Sequence, residues 1–394
     1  MTAVAPTAST RTAANATSAA IAAVDSGPSS GHAAGPARRL LADNRCPKKS
    51  WQVGCSQKNG AAPEVEELEH KPPNLCYPGS WACGSGLEIK HETLSRFQVF
   101  SCCKTQSSDA VEFWQVRLED VDQHYHIVEN DSMLLDATTK VCFAMVSKVL
   151  VPEPQQLVSA AKLLMQKHPM YTNLSGHTDG RFQRVAQMAD LRRVPRIKQG
   201  RGLRPGVVPI KQGSAAMYGT RQSKNRKADG GLHNAPYKSK KAMTPPEQKD
   251  FDGDMHLCAS TLSKILREAF GEEAAQSMKA AVNGAFLPSV DEQGCASSMA
   301  VSHDFVRTTH KDLGISCFFV MWLHGDQRQY FVFPEYRVAV PAKHGMSVLW
   351  NPLFMHGTST AFNGNPGGKT ALALINTKQT ADAQKLAVQG GRYL

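Results

Sequence analysis

At 394 residues the chain exceeds one average domain and can bury a sizeable core, and its 41% hydrophobic content is close to that of a soluble protein. No apolar run approaches the length needed to cross a bilayer, so no membrane span is expected. The net charge is +11, and its distribution matters more than its sum.

Residues 1–44 are rich in Ala, Ser, Thr and Gly, with few acids and no apolar periodicity. Such a segment cannot offset its ordering entropy, so it reads as a disordered tail, and its composition overlaps with organelle transit peptides. Residues 45–180 read as a β-rich region extending the core, with strand-like stretches at 97–100, 113–118, 124–128 and 141–151 and a helix over 155–165. Six of the ten cysteines fall between Cys46 and Cys103, at spacings that fit no zinc template. No secretory signal precedes them, so reduced structural thiols are expected, with a small irregular zinc site as the alternative.

Residues 181–250 read as a basic linker. Between Arg181 and Lys241 there are 16 Lys and Arg against Asp190 and Asp229 only, an excess larger than that of the whole chain. Arg192, Arg193, Arg196, Lys198, Arg201, Arg204, Arg221, Lys224, Arg226 and Lys227 offer phosphate neutralisation and counterion release. A solvated linker or a nuclear localisation signal is the competing reading. Met217-Tyr218-Gly219-Thr220-Arg221 has the makings of a lid, with the Tyr218 ring stacking on an extruded base while Arg221 holds its phosphate.

Residues 251–394 carry the strongest patterns. The three-and-four spacing of Leu262, Ile265, Leu266, Phe270, Ala274, Met278 and Ala281 predicts a helix over 261–282, with Gly284 as its stop. Short β-rich segments follow at 317–323, 330–333, 336–340, 346–350 and 370–375, separated by Gly and Pro turns. They predict an α+β fold whose core is a compact jelly roll, a cupin-like double-stranded β-helix.

His310-Lys311-Asp312 followed by His356 has the residue types and order of a 2-His-1-carboxylate iron site. In a strand, residues i and i+2 point to one side, so His310 and Asp312 converge while Lys311 faces away, and His356 arrives from a neighbouring strand. Lys369, after a Gly-rich turn, places a cation where it can clamp the distal carboxylate of a 2-oxo acid. Other histidines, such as His303 beside Asp304, His124, His126 and His256, lack this coincidence of features and read as surface or turn residues.

The segment 309–375, with His310-Lys311-Asp312, Phe331-Val332-Phe333-Pro334, Val348-Leu349-Trp350 and Met355-His356-Gly357-Thr358, resembles the catalytic core of the TET/JBP dioxygenases, most nearly their green-algal 5-methylcytosine-modifying branch. The resemblance is firm over roughly the last 100 residues and weaker from about residue 134. It implies Fe(II) held by His310, Asp312 and His356, a co-substrate bound at Lys369, and oxidation of the 5-methyl group of a pyrimidine in DNA, a methylated duplex being the expected partner. Leu313, Gly314 and Ile315 stand where some members carry a polar residue, which leaves 2-oxoglutarate and ascorbate both open as co-substrate. Beside such a core, nucleic-acid contact becomes the favoured role of the basic stretch, and a nuclear location is expected. Alternatives are an iron oxygenase acting on RNA, a protein side chain or a small molecule, and a degenerate paralogue that only binds nucleic acid.

Overall fold

The computed structural model describes residues 65–67, 91–112, 116–152, 154–167, 169–171, 211–222, 232–235, 243–324, 328–360 and 369–389. The expected tail over 1–44 and most of the basic stretch lie outside the described residues.

The N-terminal half supplies β1 (Val65–Glu67), α1 (His91–Leu94), β2 (Gln98–Cys102), α2 (Ser108–Val111), α3 (Leu118–His124), β3 (His126–Ile127), β4 (Ser132–Asp136), β5 (Cys142–Lys148) and α4 (Pro154–Lys167). Next come β6 (Pro169–Tyr171), β7 (Lys211–Gln222), β8 (Leu232–Ala235), α5 (Pro245–Phe270) and α6 (Glu272–Gly284). The C-terminal part is β9 (Ser298–Arg307), β10 (Phe318–His324), β11 (Tyr330–Phe333), β12 (Val338–Pro341), β13 (Met346–Trp350), β14 (Gly357–Thr358), β15 (Thr370–Ile375) and α7 (Lys378–Gln389).

Among the described residues, these strands form an 11-stranded sheet ordered β1-β2-β4-β5-β13-β10-β15-β9-β7-β6, with β8 beside β7, and a 4-stranded sheet ordered β14-β11-β12-β3. From β9 onward the chain winds between the two: β9, β10, β13 and β15 lie in the larger sheet, β11, β12 and β14 in the smaller. Their mutual pairings are antiparallel. This winding is the double-stranded β-helix, or jelly roll, and with its helical layer the fold is α+β.

Alternation explains the apolar runs. In β10, Phe319 and Met321 join Leu157, Leu262, Leu266 and Phe270 of the helical layer, while Phe318, Val320 and Trp322 meet Phe331, Phe333 and Val340 of the smaller sheet. A strand covered on both faces has no position left for a polar residue.

The helix expected over 261–282 is two helices broken at Gly271, whose φ of 92° ends one and begins the next. The first starts early because Thr244 and Glu247 form a capping box with Pro245 in the first turn. Of the segment expected as a strand at 113–118, Val116 and Arg117 lie in no strand and Leu118 opens the helix Leu118–His124, while 113–115 lie outside the described residues. Within the supposed basic linker, Lys211–Gln222 is a strand of the larger sheet, paired with β9 along Lys211 to Gly219. The thiol reading also needs correction: Cys102, Cys142, Cys258, Cys295 and Cys317 are free and buried, but Cys103 is disulfide-bonded.

Candidate metal centre

The strand expected to carry His310 and Asp312 ends at Arg307. Of the dyad, His310 is in β geometry through an isolated antiparallel bridge to His356, and Asp312 is in none. His310 N–H donates to the His356 carbonyl at 2.8 Å and His356 N–H returns the bond at 2.9 Å, while Asp312 N–H donates to the Pro352 carbonyl at 2.9 Å. These three backbone bonds, not a strand through the dyad, bring the side chains together. Gly314 lets the segment pass this close. A Cβ there would stand 2.4 Å from Pro352 Cγ and 2.9 Å from Phe318 Cε1, so Gly314→Ala is expected to cost about 1–3 kcal/mol, read as a drop in denaturant midpoint.

Asp312 Oδ2 lies 3.4 Å from His310 Nε2 and 3.6 Å from His356 Nε2. The three candidate ligand atoms all fall within 4.8 Å of one another. Ligand atoms about 2.1 Å from a shared ion at right angles are about 3 Å apart, so the group needs only a slight contraction to hold one. The far ring nitrogens fix the orientation. Nδ1–H of His310 donates to the Thr308 carbonyl at 2.8 Å, and Nδ1–H of His356 to the Phe354 carbonyl at 2.9 Å. With each Nδ1–H spent on a carbonyl, the Nε2 atoms of both rings are left facing the Asp312 carboxylate, a donor set that a cation completes. Burial pushes His310 down to about 4, with the Arg307 and His356 charges adding to it against the pull of Asp312. It is therefore neutral at physiological pH, as a ligand must be.

The three residues open onto a cavity of about 480 Å³, walled by Phe318, Trp322, Phe331 and Trp350 and closed from β7 by Ala215 and Met217. Lys369 lines the same cavity and is only 5% exposed. Its backbone N–H donates to Asp304 Oδ1 at 2.9 Å, and its Nζ donates to Gln329 Oε1. Burial lowers the amine to about 7, with the Asp304 charge resisting. Arg307, absent from the sequence-derived set, adds a second cation, its Nη2 3.8 Å from Asp312 Oδ1. Gln329 was also missed. Neither residue stands in a recognisable motif, and Arg307 lies only three positions before His310.

The lid expectation is corrected. Tyr218 sits within β7, its ring edge-on to Phe251 of α5 at 6.0 Å and its hydroxyl bonded to Asp252, so it packs beneath the helical layer. The same strand sends Met217 to the cavity instead. Arg221 pairs through its backbone with His233 at the end of β7. Arg192, Arg193, Arg196, Lys198, Arg201, Arg204, Lys224, Arg226 and Lys227 lie outside the described residues.

No family model and no curated protein matches the chain. Among solved structures it is similar to NgTET1 in complex with 5mC DNA, at 10% identity and a TM-score of 0.37, covering 67% of this chain and 87% of that one. It is also similar to full-length Neurospora crassa T7H in complex with alpha-KG, at 12% identity and a TM-score of 0.32, covering 62% and 86% respectively. Likeness at this level carries no argument for activity, which rests on the site itself.

Proposed function

We propose that this protein is an Fe(II)-dependent dioxygenase that oxidises the 5-methyl group of a pyrimidine in DNA, 5-methylcytosine or thymine, with 2-oxoglutarate or ascorbate as co-substrate. The observation that carries the reading is the convergence of His310, Asp312 and His356 on the wall of a cavity that the buried Lys369 also lines. Two imidazoles and one carboxylate fit Fe(II) and leave positions open for other ligands. Bound iron would supply dioxygen activation, the chemistry needed to oxidise an unactivated C–H bond.

The chain's own residues do the rest. Nε2 of His310 and His356 and the Asp312 carboxylate would hold the ion, with the Thr308 and Phe354 carbonyls keeping the rings in orientation. Lys369 would pair with the distal carboxylate of a 2-oxo acid, and Gln329 would aim its amine. Phe318, Trp322, Phe331 and Trp350 exclude water along the cavity wall. A methyl group inside a duplex cannot reach this depth, so the nucleotide would be flipped out, with the basic stretch before the core holding phosphates.

The test is to incubate the full chain with Fe(II), methylated duplex and either co-substrate, then weigh the released nucleosides. The expected product is a pyrimidine nucleoside that has gained oxygen at its methyl group. Unchanged DNA with both co-substrates, from protein shown to have bound iron, would remove the DNA part of the reading.

A further inference from the structure

Glu335 lies in the turn between β11 and β12, and its carboxyl side chain is only 1% exposed. A carboxylate is not buried without partners, and here the partners lead to both ligand-bearing segments. Glu335 Oε2 accepts from Met355 N–H at 3.2 Å. Met355 lies between His356 and Phe354, whose carbonyl orients the His356 ring. The other oxygen, Oε1, accepts from the Ser108 hydroxyl of α2, and Ser108 Oγ in turn accepts from Lys311 Nζ at 3.0 Å. Lys311 separates His310 from Asp312. One carboxylate therefore connects to the segment 354–356 directly and to the segment 310–312 through a single hydroxyl.

The same short stretch before the core adds further ties. Thr105 N–H donates to the Glu335 carbonyl at 2.8 Å, and Lys104 Nζ stands 3.6 Å from Glu335 Oε1. At the other end of α2, the Val111 carbonyl accepts from the Thr309 hydroxyl, one residue before His310. Residues 104–111 thus strap the back of the site, and Glu335 is the knot. Lys311 is exposed, so its link is the weakest; the bond to Ser108 is part-buried, and the bond to Met355 is shielded from water and correspondingly firm.

We infer that Glu335 is a positioning residue for the metal centre: through Met355 on one side and Ser108 on the other, it holds the segments 354–356 and 310–312 in the register that makes the three ligand atoms converge. This inference rests on the metal-binding reading above. Glu335 does not line the site cavity and acts through other residues.

The experiment titrates Co(II), as a spectroscopic stand-in for Fe(II), into the full chain and reads both affinity and the ligand-field absorption band. Glu335→Leu, similar in size but without acceptors, is expected to weaken Co(II) about tenfold and to alter the band, as loss of outer-shell partners does. Glu335→Gln keeps an acceptor for Met355 and a donor for Ser108, and is expected to restore both readouts to within about twofold. Ser108→Ala cuts only the second arm and is expected to cost about threefold, which keeps the test decisive if the Leu variant does not fold. Leu262→Ala, a truncation in the helical layer, is expected to lower the melting temperature and leave Co(II) binding as in wild type. Wild-type affinity and band in Ser108→Ala and in any folded Glu335→Leu would overturn the inference and leave the metal reading standing. A wild-type chain that takes up no Co(II) would overturn both.

Discussion

Asp312→Ala is expected to abolish tight Fe(II) or Co(II) binding and to leave the fold intact. The carboxylate supplies the only formal negative charge among the three candidate ligands. Structural Zn(II) held by four ligands in zinc-finger peptides is worth about 10–16 kcal/mol, which scales to roughly 3–4 kcal/mol per ligand, an affinity loss of about several hundredfold. The fold should not suffer, because the segment is held by main-chain bonds: Asp312 N–H to Pro352 and the reciprocal pair between His310 and His356 survive the substitution. Against desolvation, His310, His356 and Arg307 hold the Asp312 carboxyl well below the usual carboxylate range, so truncation should cost the metal-free protein about 1–3 kcal/mol while the melt stays cooperative. Calorimetric titration with Co(II) and melts with and without metal check both halves. Metal should raise the melting temperature of the wild type alone. Retention of wild-type affinity by Asp312→Ala would end the proposed role of this carboxylate.

The parts of this fold that were readable in the sequence are those where burial is symmetrical. β10, β13 and β15 are apolar on both faces because helices cover one side and the smaller sheet the other, and β11 because the larger sheet covers one face and α3 the other, so their runs stand out against the Gly and Pro turns. β9 escaped notice for the opposite reason. Its sequence Ser-Met-Ala-Val-Ser-His-Asp-Phe-Val-Arg mixes buried Met299 with residues that line a cavity, and Asp304, where Lys369 crosses, sits inside the strand at a φ of 49° that strand residues avoid. β7 was absorbed into a charge count. Lys-Gln-Gly-Ser-Ala-Ala has little strand propensity, and only its pairing with β9 and β6 makes it extended.

The site divides along the same line. His310, Asp312 and His356 were legible because ligand chemistry restricts residue types and one bridge restricts their order. What holds them was not legible. Glu335, Ser108 and Gln329 reach the site only after chain separations of 20 to 227 residues are closed by folding, and no local pattern marks a residue whose partners are that distant. The i, i+2 argument reached the right convergence from a strand that does not exist. The two residues do share a side, but a backbone bridge and the Pro352 carbonyl impose it.

Lys369→Met is expected to make the ligand-free protein more stable and to cripple its affinity for 2-oxoglutarate. An ammonium in this position is desolvated, and burial lowers its pKa from the ordinary 10.5 to about 7. A lysine whose folded value lies below its unfolded value weakens the fold. The full cost is present below about pH 7, where both states hold the proton, and it fades between about 7 and about 10.5, where the unfolded chain keeps a proton that the folded chain has shed. Wild-type stability should therefore rise with pH across that window, relative to Lys369→Met. A shift of this size corresponds to at most about 5 kcal/mol, from which about 1–3 kcal/mol is lost when Gln329 Oε1 has no donor. The net gain below about pH 7 should be on the order of 2 kcal/mol, measurable by denaturant titration at about pH 6 and about pH 9. Binding runs the other way. A distal carboxylate beside the amine restores its charge, and loss of that charged bond should weaken 2-oxoglutarate by about ten- to a hundredfold. Above about pH 7 the wild type should take up a proton as 2-oxoglutarate binds, which calorimetry in buffers of different ionisation enthalpy detects and the Met variant should lack. A variant no more stable than wild type that binds 2-oxoglutarate equally well would mean that the cavity does not use its buried cation, and the 2-oxo acid would have to be held elsewhere.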